Sequence, residues 1–225
     1  MTKIVAIIPA RGGSKGIPKK NIKNFSGKPL VVHSIEYALS CNLVDEIVVS
    51  TDDKNIIDIS QKSGAKVIDR PSELASNTAT TESVIAHFLE TSDTKPDIIV
   101  LLQPTSPLRP ENSLEKVIQH FQTGYFDSLL SISPTHHFFW KLDGDTTIPD
   151  YDFLNRPRRQ DMKPEDIPYT ENGSVYIFTR DHFEKTGNRL GGKIGYVIFQ
   201  EEFSLQVDTE MDLLIMEEIS KKLNF

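Results

Sequence analysis

The stretch KIVAIIPARGGSKGIPKKN, Lys3–Asn21, decides how the chain is read. Lys3–Ala10 is a nearly unbroken apolar run, which predicts a strand buried on both faces. The segment that follows is rich in glycine and positive charge. Arg11–Lys28 holds six Lys or Arg residues, and the first acid in the chain is Glu36. A strand covered on both faces belongs to a parallel sheet with helices above and below it. In such a sheet the loop leaving the carboxyl end of a strand opens into the ligand crevice. The positive charge therefore falls where an anion would be bound.

The same rhythm continues along the chain. Apolar spacing predicts helices over Pro29–Ser40, Lys54–Gly64 (closed by Gly64), Thr80–Thr91, Asn112–Phe121 (capped by Asn112 or Ser113) and Thr209–Leu223. Strands are predicted over Glu46–Thr51, Ala65–Asp69, Asp97–Gln103, Ser128–Ser133, Gly173–Phe178 and Lys193–Phe199. Repeated strand–helix units predict an α/β fold, a doubly wound and mostly parallel Rossmann-like sheet. The rhythm breaks over about 135–170. There Pro134–Pro168 carries five prolines and the aromatic run Phe138–Trp140, which predicts hairpins and loops that leave the sheet. At 225 residues and 38% hydrophobic composition the expectation is one domain, 1–225, bearing that insertion.

Composition narrows the functions. Cys41 is the only cysteine, so an intrachain disulfide is excluded. The apolar run at the N-terminus is too short for a signal segment and no later run reaches membrane-span length, so a soluble, cytoplasmic protein is expected. A net charge of −7 argues against a general nucleic-acid surface, because a phosphate backbone needs distributed Lys and Arg. Any anion must be met locally.

The first loop suits that task. Gly12, Gly13 and Gly16 allow backbone N–H groups to turn toward a ligand, and Arg11 and Lys15 add fixed charge, a combination suited to a polyphosphate. The spacing is neither G-x-x-x-x-G-K-[ST] nor G-x-G-x-x-G. A second candidate, LLQPTSPLR at Leu101–Arg109, ends another buried strand and so also faces the crevice. Gln103 can donate and accept hydrogen bonds to sugar hydroxyls, Thr105 and Ser106 would line the site, and Pro104 and Pro107 stop the strand. His136 and His137 have neither a Cys nor an H-x-x-x-H partner, so zinc is rejected.

Six segments in order carry a family resemblance: IPARGGSKGIPKKNI, STDD (Ser50–Asp53), RPSELASNTATT (Arg70–Thr81), LLQPTSPLR, ENGSVYI (Glu171–Ile177) and VDTEMD (Val207–Asp212). Over nearly the whole chain they resemble the acylneuraminate cytidylyltransferases, the CMP-sialic acid synthetases, and the closely related CMP-legionaminic acid synthetases. CMP-KDO synthetases share the fold but not the ARGGSKG form of the loop; these and a non-catalytic nucleotide-binding protein are the alternatives. The resemblance implies a nucleotidyltransferase that moves CMP from CTP to the anomeric hydroxyl of a nine-carbon 2-keto sugar acid, releasing pyrophosphate. It implies catalytic roles for Arg11, Lys15, Lys20 and Asp208, with Ala10, Gly12, Gly13, Ser14 and Asn21 around the triphosphate. Arg70, Ala79 and Thr81 would read ribose and cytosine, and Gln103, Thr105 and Ser106 would face the sugar. Lys141 and Arg158 would hold the sugar carboxylate, Arg158 more effectively because its fork binds in two places. A homodimer with a shared active site is implied, with Tyr176 near the neighbour's sugar. The implied cofactor is Mg²⁺ on Asp208, although Gln206 replaces the family's usual first aspartate and Asp208 can also cap the last helix. Arg189 and Leu190 fall near the position of an aromatic pair, implying a more polar sugar pocket suited to a relative such as legionaminic acid.

Overall fold

Residues 2–225 are described by the structure, a computed structural model. In chain order the elements are β1 (Ile4–Pro9), β2 (Asn24–Phe25), β3 (Lys28–Pro29), α1 (Leu30–Leu39), β4 (Glu46–Thr51), α2 (Lys54–Lys62), β5 (Lys66–Asp69), α3 (Thr81–Thr91) and β6 (Ile98–Leu102). There follow α4 (Leu114–Thr123), β7 (Ser128–Pro134), β8 (Trp140–Asp143), β9 (Thr146–Pro149), β10 (Tyr169–Thr179), α5 (Arg180–Thr186), β11 (Ile194–Ile198) and α6 (Glu210–Leu223). Seven strands form one sheet in the order β11-β7-β10-β6-β1-β4-β5. All pairings are parallel except those of β10, which runs antiparallel to both β6 and β7.

The apolar run of β1 is fully used. Ile4, Ala6 and Ile8 enter a buried cluster with Val31 and Ile35 of α1, Ile56 of α2 and Val117 of α4. Val5 and Ile7 point the other way, into a cluster with Ile85 and Phe88 of α3 and Phe183 of α5. Helices thus cover both faces, as the doubly wound reading requires. Strand addition reverses at β1, with β4 and β5 on one side and β6 on the other, so the crevice opens at the carboxyl ends of β1 and β6. Between β7 and β10 the chain leaves the sheet to form the β8–β9 hairpin, where Phe138 packs on Tyr151 while Phe139 and Trp140 stay half exposed. Among the described residues no helix is long and apolar enough to cross a membrane.

The expected caps of α4 and α6 differ from those observed: Ser113 holds the N-cap position of α4 without a capping bond, and α6 is capped by another residue. Neither Asn112 nor Ser113 caps α4 with its side chain; the Ser113 hydroxyl donates to the Pro110 carbonyl at 2.7 Å, and Asn112 adopts φ 51°. Asp208 does not cap α6. Thr209 does, accepting from the Asp212 N–H at 3.2 Å, while the Asp212 carboxylate accepts from Thr209 N at 2.7 Å and Asp208 N at 3.0 Å. This reciprocal box leaves the Asp208 carboxylate free for the cleft.

Partial burial pushes the Asp212 carboxyl up, but the hydrogen bonds from Thr209 and Asp208 outweigh it and hold it below the usual range. With a depressed folded pKa, its contribution is complete above the unfolded carboxyl value and fades as pH falls through the folded one. Asp212→Ala should therefore lower stability in urea by about 1 kcal/mol at neutral pH. The gap from wild type should close in acid, and a gap independent of pH would contradict the assignment.

Candidate active site

A cleft of about 360 Å³ opens where the topology predicts. Arg11, Ser14, Lys15, Gly16, Lys20 and Asn21 reach it from the loop after β1, and Gln103, Pro104 and Thr105 from the end of β6. Arg70, Leu74, Ser76, Asn77, Ala79, Thr80 and Thr81 enter from the segment between β5 and α3, and Asp208 from the approach to α6.

The loop after β1 is held by close backbone packing. The Gly12 N–H donates to Asp52 Oδ1 at 2.8 Å, and a Cβ on Gly12 would lie 2.7 Å from the Asp53 Cβ. A Cβ on Gly16 would meet the Asp208 carbonyl at 2.2 Å, so a larger residue would force the loop away from the segment entering α6. The Gly12 N–H is thereby committed to Asp52, contrary to the expectation that it turns toward the ligand. Asn21 is buried and donates to the Arg11 carbonyl at 2.8 Å, bracing the loop from beneath.

Four cations line the cleft against one carboxylate, Asp208. Arg11 Nη1 donates to the Ser76 carbonyl at 2.6 Å and bridges to the segment before α3. Lys20 Nζ lies 3.0 Å from Asp208 Oδ1 and 2.8 Å from the Val207 carbonyl. Arg70 is only 5% exposed and is not a surface charge. Its Nη2 donates to the Ser50 carbonyl at 2.5 Å and its Nε to Ser50 Oγ at 3.1 Å. Burial pulls its pKa down to about 10, which leaves it charged at neutral pH. Lys15 is exposed and carries the least restrained charge of the four.

Several expected site residues lie elsewhere. Ala10 is buried at the end of β1, its N–H bonded to the Ser50 carbonyl at 2.9 Å, and Gly13 is exposed outside the lining. Ser106 is buried behind the cleft, donating to the Asn172 carbonyl at 3.3 Å. Tyr176, expected near a neighbour's sugar, belongs to the core on the α3–α5 face, where its hydroxyl bonds to Glu171. Arg189 pairs with Glu82 and stacks over the Tyr176 ring at 4.6 Å, while Leu190 packs on the same core, and neither lines this chain's cleft. Lys141 sits on the β8–β9 hairpin 3.9 Å from Asp150, and Arg158 beside it pairs with Asp161 at 2.5 Å. Neither lines this chain's cleft.

Gln206 lies with Gln103 against Gly173. A Cβ on Gly173 would stand 2.7 Å from Gln206 Nε2 and 2.8 Å from Gln103 Oε1, and the residue has φ +66°. Among the described residues no group of three or more His, Cys, Asp or Glu is arranged to hold a metal. A lone carboxylate facing space for a triphosphate still suits Mg²⁺, which is commonly held by one or two carboxylates plus substrate oxygens. Of the groups that hold the loop after β1, Asp52 is signalled by STDD, whereas nothing in local sequence marks a main-chain acceptor such as the Ser76 carbonyl.

A family model described as cytidylyltransferase matches residues 5–221. The chain is 36% identical over 220 residues to an N-acylneuraminate cytidylyltransferase of Oncorhynchus mykiss, covering 96% of this chain and 50% of that protein. It is 31% identical over 228 residues to an N-acylneuraminate cytidylyltransferase of Escherichia coli, covering 99% and 53%. The chain thus spans about half the length of the curated relatives it matches. A solved CMP:2-keto-3-deoxy-manno-octonic acid synthetase complexed with CTP shares the fold, with a TM-score of 0.74, 18% identity and coverage of 99% of this chain and 100% of that one.

The four cations suit the cleft to an anion before any chemistry is considered. Lys15→Ala should weaken inorganic tripolyphosphate binding about tenfold by calorimetry, at low salt, since a hydrogen bond to a charged group contributes about 1.5 kcal/mol or more. Its melting temperature should barely move, because an exposed lysine contributes little to folding. Unchanged affinity would place the anion elsewhere.

Proposed function

The chain belongs to the cytidylyltransferase family, and from that premise we propose that it transfers CMP from CTP to the anomeric hydroxyl of a sialic acid or a closely related nonulosonic acid, releasing pyrophosphate. One observation carries the reading: four cations and a single carboxylate converge on one cleft at the switch point of the sheet. In this transfer the sugar oxygen attacks the α-phosphorus, the bond to the β-phosphate oxygen breaks, and charge accumulates on the departing pyrophosphate. Arg11, Lys15 and Lys20 stand in the cleft with charge to meet it, and stabilising charge where it develops is the largest aid such a reaction receives. Arg70, Ala79 and Thr81 line the end assigned to the nucleoside, where small side chains admit a pyrimidine. Gln103 and Thr105 line the end assigned to the sugar.

Mg²⁺ is assigned to Asp208 together with oxygens of CTP, where it would neutralise triphosphate charge. Lys20 shares that carboxylate, so its Nζ is already beside the triphosphate end of the cleft. A homodimer is proposed on two grounds. The hairpin bears half-exposed Phe139 and Trp140, and Lys141 and Arg158 on the insertion can meet a sugar carboxylate only in another copy's cleft. A cytoplasmic setting fits a reaction that draws on CTP. The names of the curated relatives favour a sialic acid over KDO; the KDO synthetase is a likeness of fold alone. Legionaminic acid stays in the substrate range, although Arg189 and Leu190 no longer supply a reason to prefer it.

The test is a substrate panel with CTP and Mg²⁺, read by pyrophosphate release. N-acetylneuraminate or legionaminic acid should be turned over well and KDO poorly, with the active species sedimenting as a dimer. Turnover of KDO alone, of no keto-sugar acid, or by a fully active monomer would each overturn the corresponding part.

A further inference from the structure

We infer that Arg109 is a positioning residue for the sugar end of the cleft: its buried guanidinium clamps the main chain of Gln103 to that of Ser174 and thereby sets the Gln103 amide. The inference deepens the function proposed above, because Gln103 matters here as a sugar contact.

Arg109 is 2% exposed, among the largest side chains fully buried in the molecule. No carboxylate among the described residues pairs with it; Glu36, which lines the same rear cavity, is bound to Lys28 at 2.7 Å. Its donors go to uncharged acceptors instead. Nη2 donates to the Gln103 carbonyl at 2.9 Å and the Ser174 carbonyl at 3.1 Å, Nε donates to the same Ser174 carbonyl at 3.3 Å, and Nη1 donates to Ser34 Oγ of α1 at 3.1 Å. The guanidinium carbon lies 5.2 Å from the Tyr37 ring centroid. A charge buried without a counter-ion is costly, and the bonds to the Gln103 and Ser174 carbonyls and to Ser34 offset that cost by satisfying buried acceptors. Those bonds alone would make Arg109 structural and give it no positioning role.

The geometry supplies one. The two clamped carbonyls belong to the segment after β6 and to β10, which meet beneath the cleft. Gly173 lies beside the second of them, where the β10 register shifts between Glu171 and Tyr176. The Gln103 amide rests on Gly173, with Gln206 alongside. Arg109 thus fixes the backbone from which Gln103 projects and also the strand irregularity against which its amide leans. A planar fork can hold carbonyls on two segments at once, whereas the ammonium of lysine offers a compact point charge.

The full-length chain is compared with Arg109→Lys and with Tyr37→Phe. The second variant loses the 2.7 Å contact between Tyr37 Oη and Ser113 Oγ but keeps the ring beneath the guanidinium and both carbonyl bonds. Where lysine prevents folding, Arg109→Gln, neutral and easier to bury, takes its place. Three quantities are read: the Gln103 side-chain amide resonances, assigned by their loss in Gln103→Glu; CTP affinity by calorimetry; and kcat and KM with the best sugar of the panel. Folded Arg109→Lys should shift or broaden the Gln103 amide pair, keep CTP affinity, and lose about a hundredfold in kcat/KM for the sugar, the scale expected of a small misplacement. Tyr37→Phe should lose stability with none of these effects. Unmoved Gln103 resonances, or activity losses that follow melting temperature in both variants, would overturn the inference. A wild type that releases no pyrophosphate sinks the proposed reaction instead, and the amide resonances then decide the positioning claim alone.

Discussion

Like charges crowded into one cleft repel each other, and much of this fold serves to hold three of the four in place. Arg11, Lys20 and Arg70 are each tied down by oxygen: the Ser76 carbonyl, Asp208 with the Val207 carbonyl, and Ser50, respectively. Burial does most to lower the proton affinity of Arg70; Asp52 raises it, and Arg11 lowers it in the smallest measure of the three. Most of these partners are main-chain dipoles and not carboxylates. They restrain the cations without neutralising them, which leaves net positive potential for an anion to claim.

Those dipoles are available only because the sheet is built as it is. Parallel pairing sets Pro9 of β1 opposite Ser50 of β4, and the Ser50 carbonyl then accepts from both Ala10 N and Arg70 Nη2. The loop after β1 must pass between Asp53 on one side and the Asp208 carbonyl on the other, with room at Gly12 and Gly16 for a hydrogen and no more. At the opposite end, Arg109 plays for Gln103 the part that Ser50 plays for Arg70. In each case a side chain that faces the cleft is fixed by groups that do not.

The strands were legible because burial on both faces writes them as apolar runs, and the loop after β1 was legible because its charge stands out in an acidic chain. What escaped depends on geometry that local sequence does not encode. Tyr176 follows an irregularity in β10 and turns into the α3–α5 core, so its side could not be inferred from alternation through a regular strand. Asp208 and Thr209 both have capping chemistry, and only the helix start shows that Thr209 takes the role with Asp212 as its partner. Nothing in the local sequence, Leu108 before it and Pro110 after it, marks Arg109 as buried, yet it is enclosed by segments distant in sequence. Lys141 and Arg158 are placed by family resemblance on an insertion that stays outside this chain's own cleft.

CTP is proposed to bind in the cleft beside β1. Amide hydrogen exchange with and without CTP tests it most directly, since it needs no knowledge of the sugar. Slowed exchange over 11–21, over 70–81 and around Asp208, with the β8–β9 hairpin unchanged, is the predicted result. Protection confined to the rear cavity near His33 and Tyr37, with none over 11–21, would contradict it.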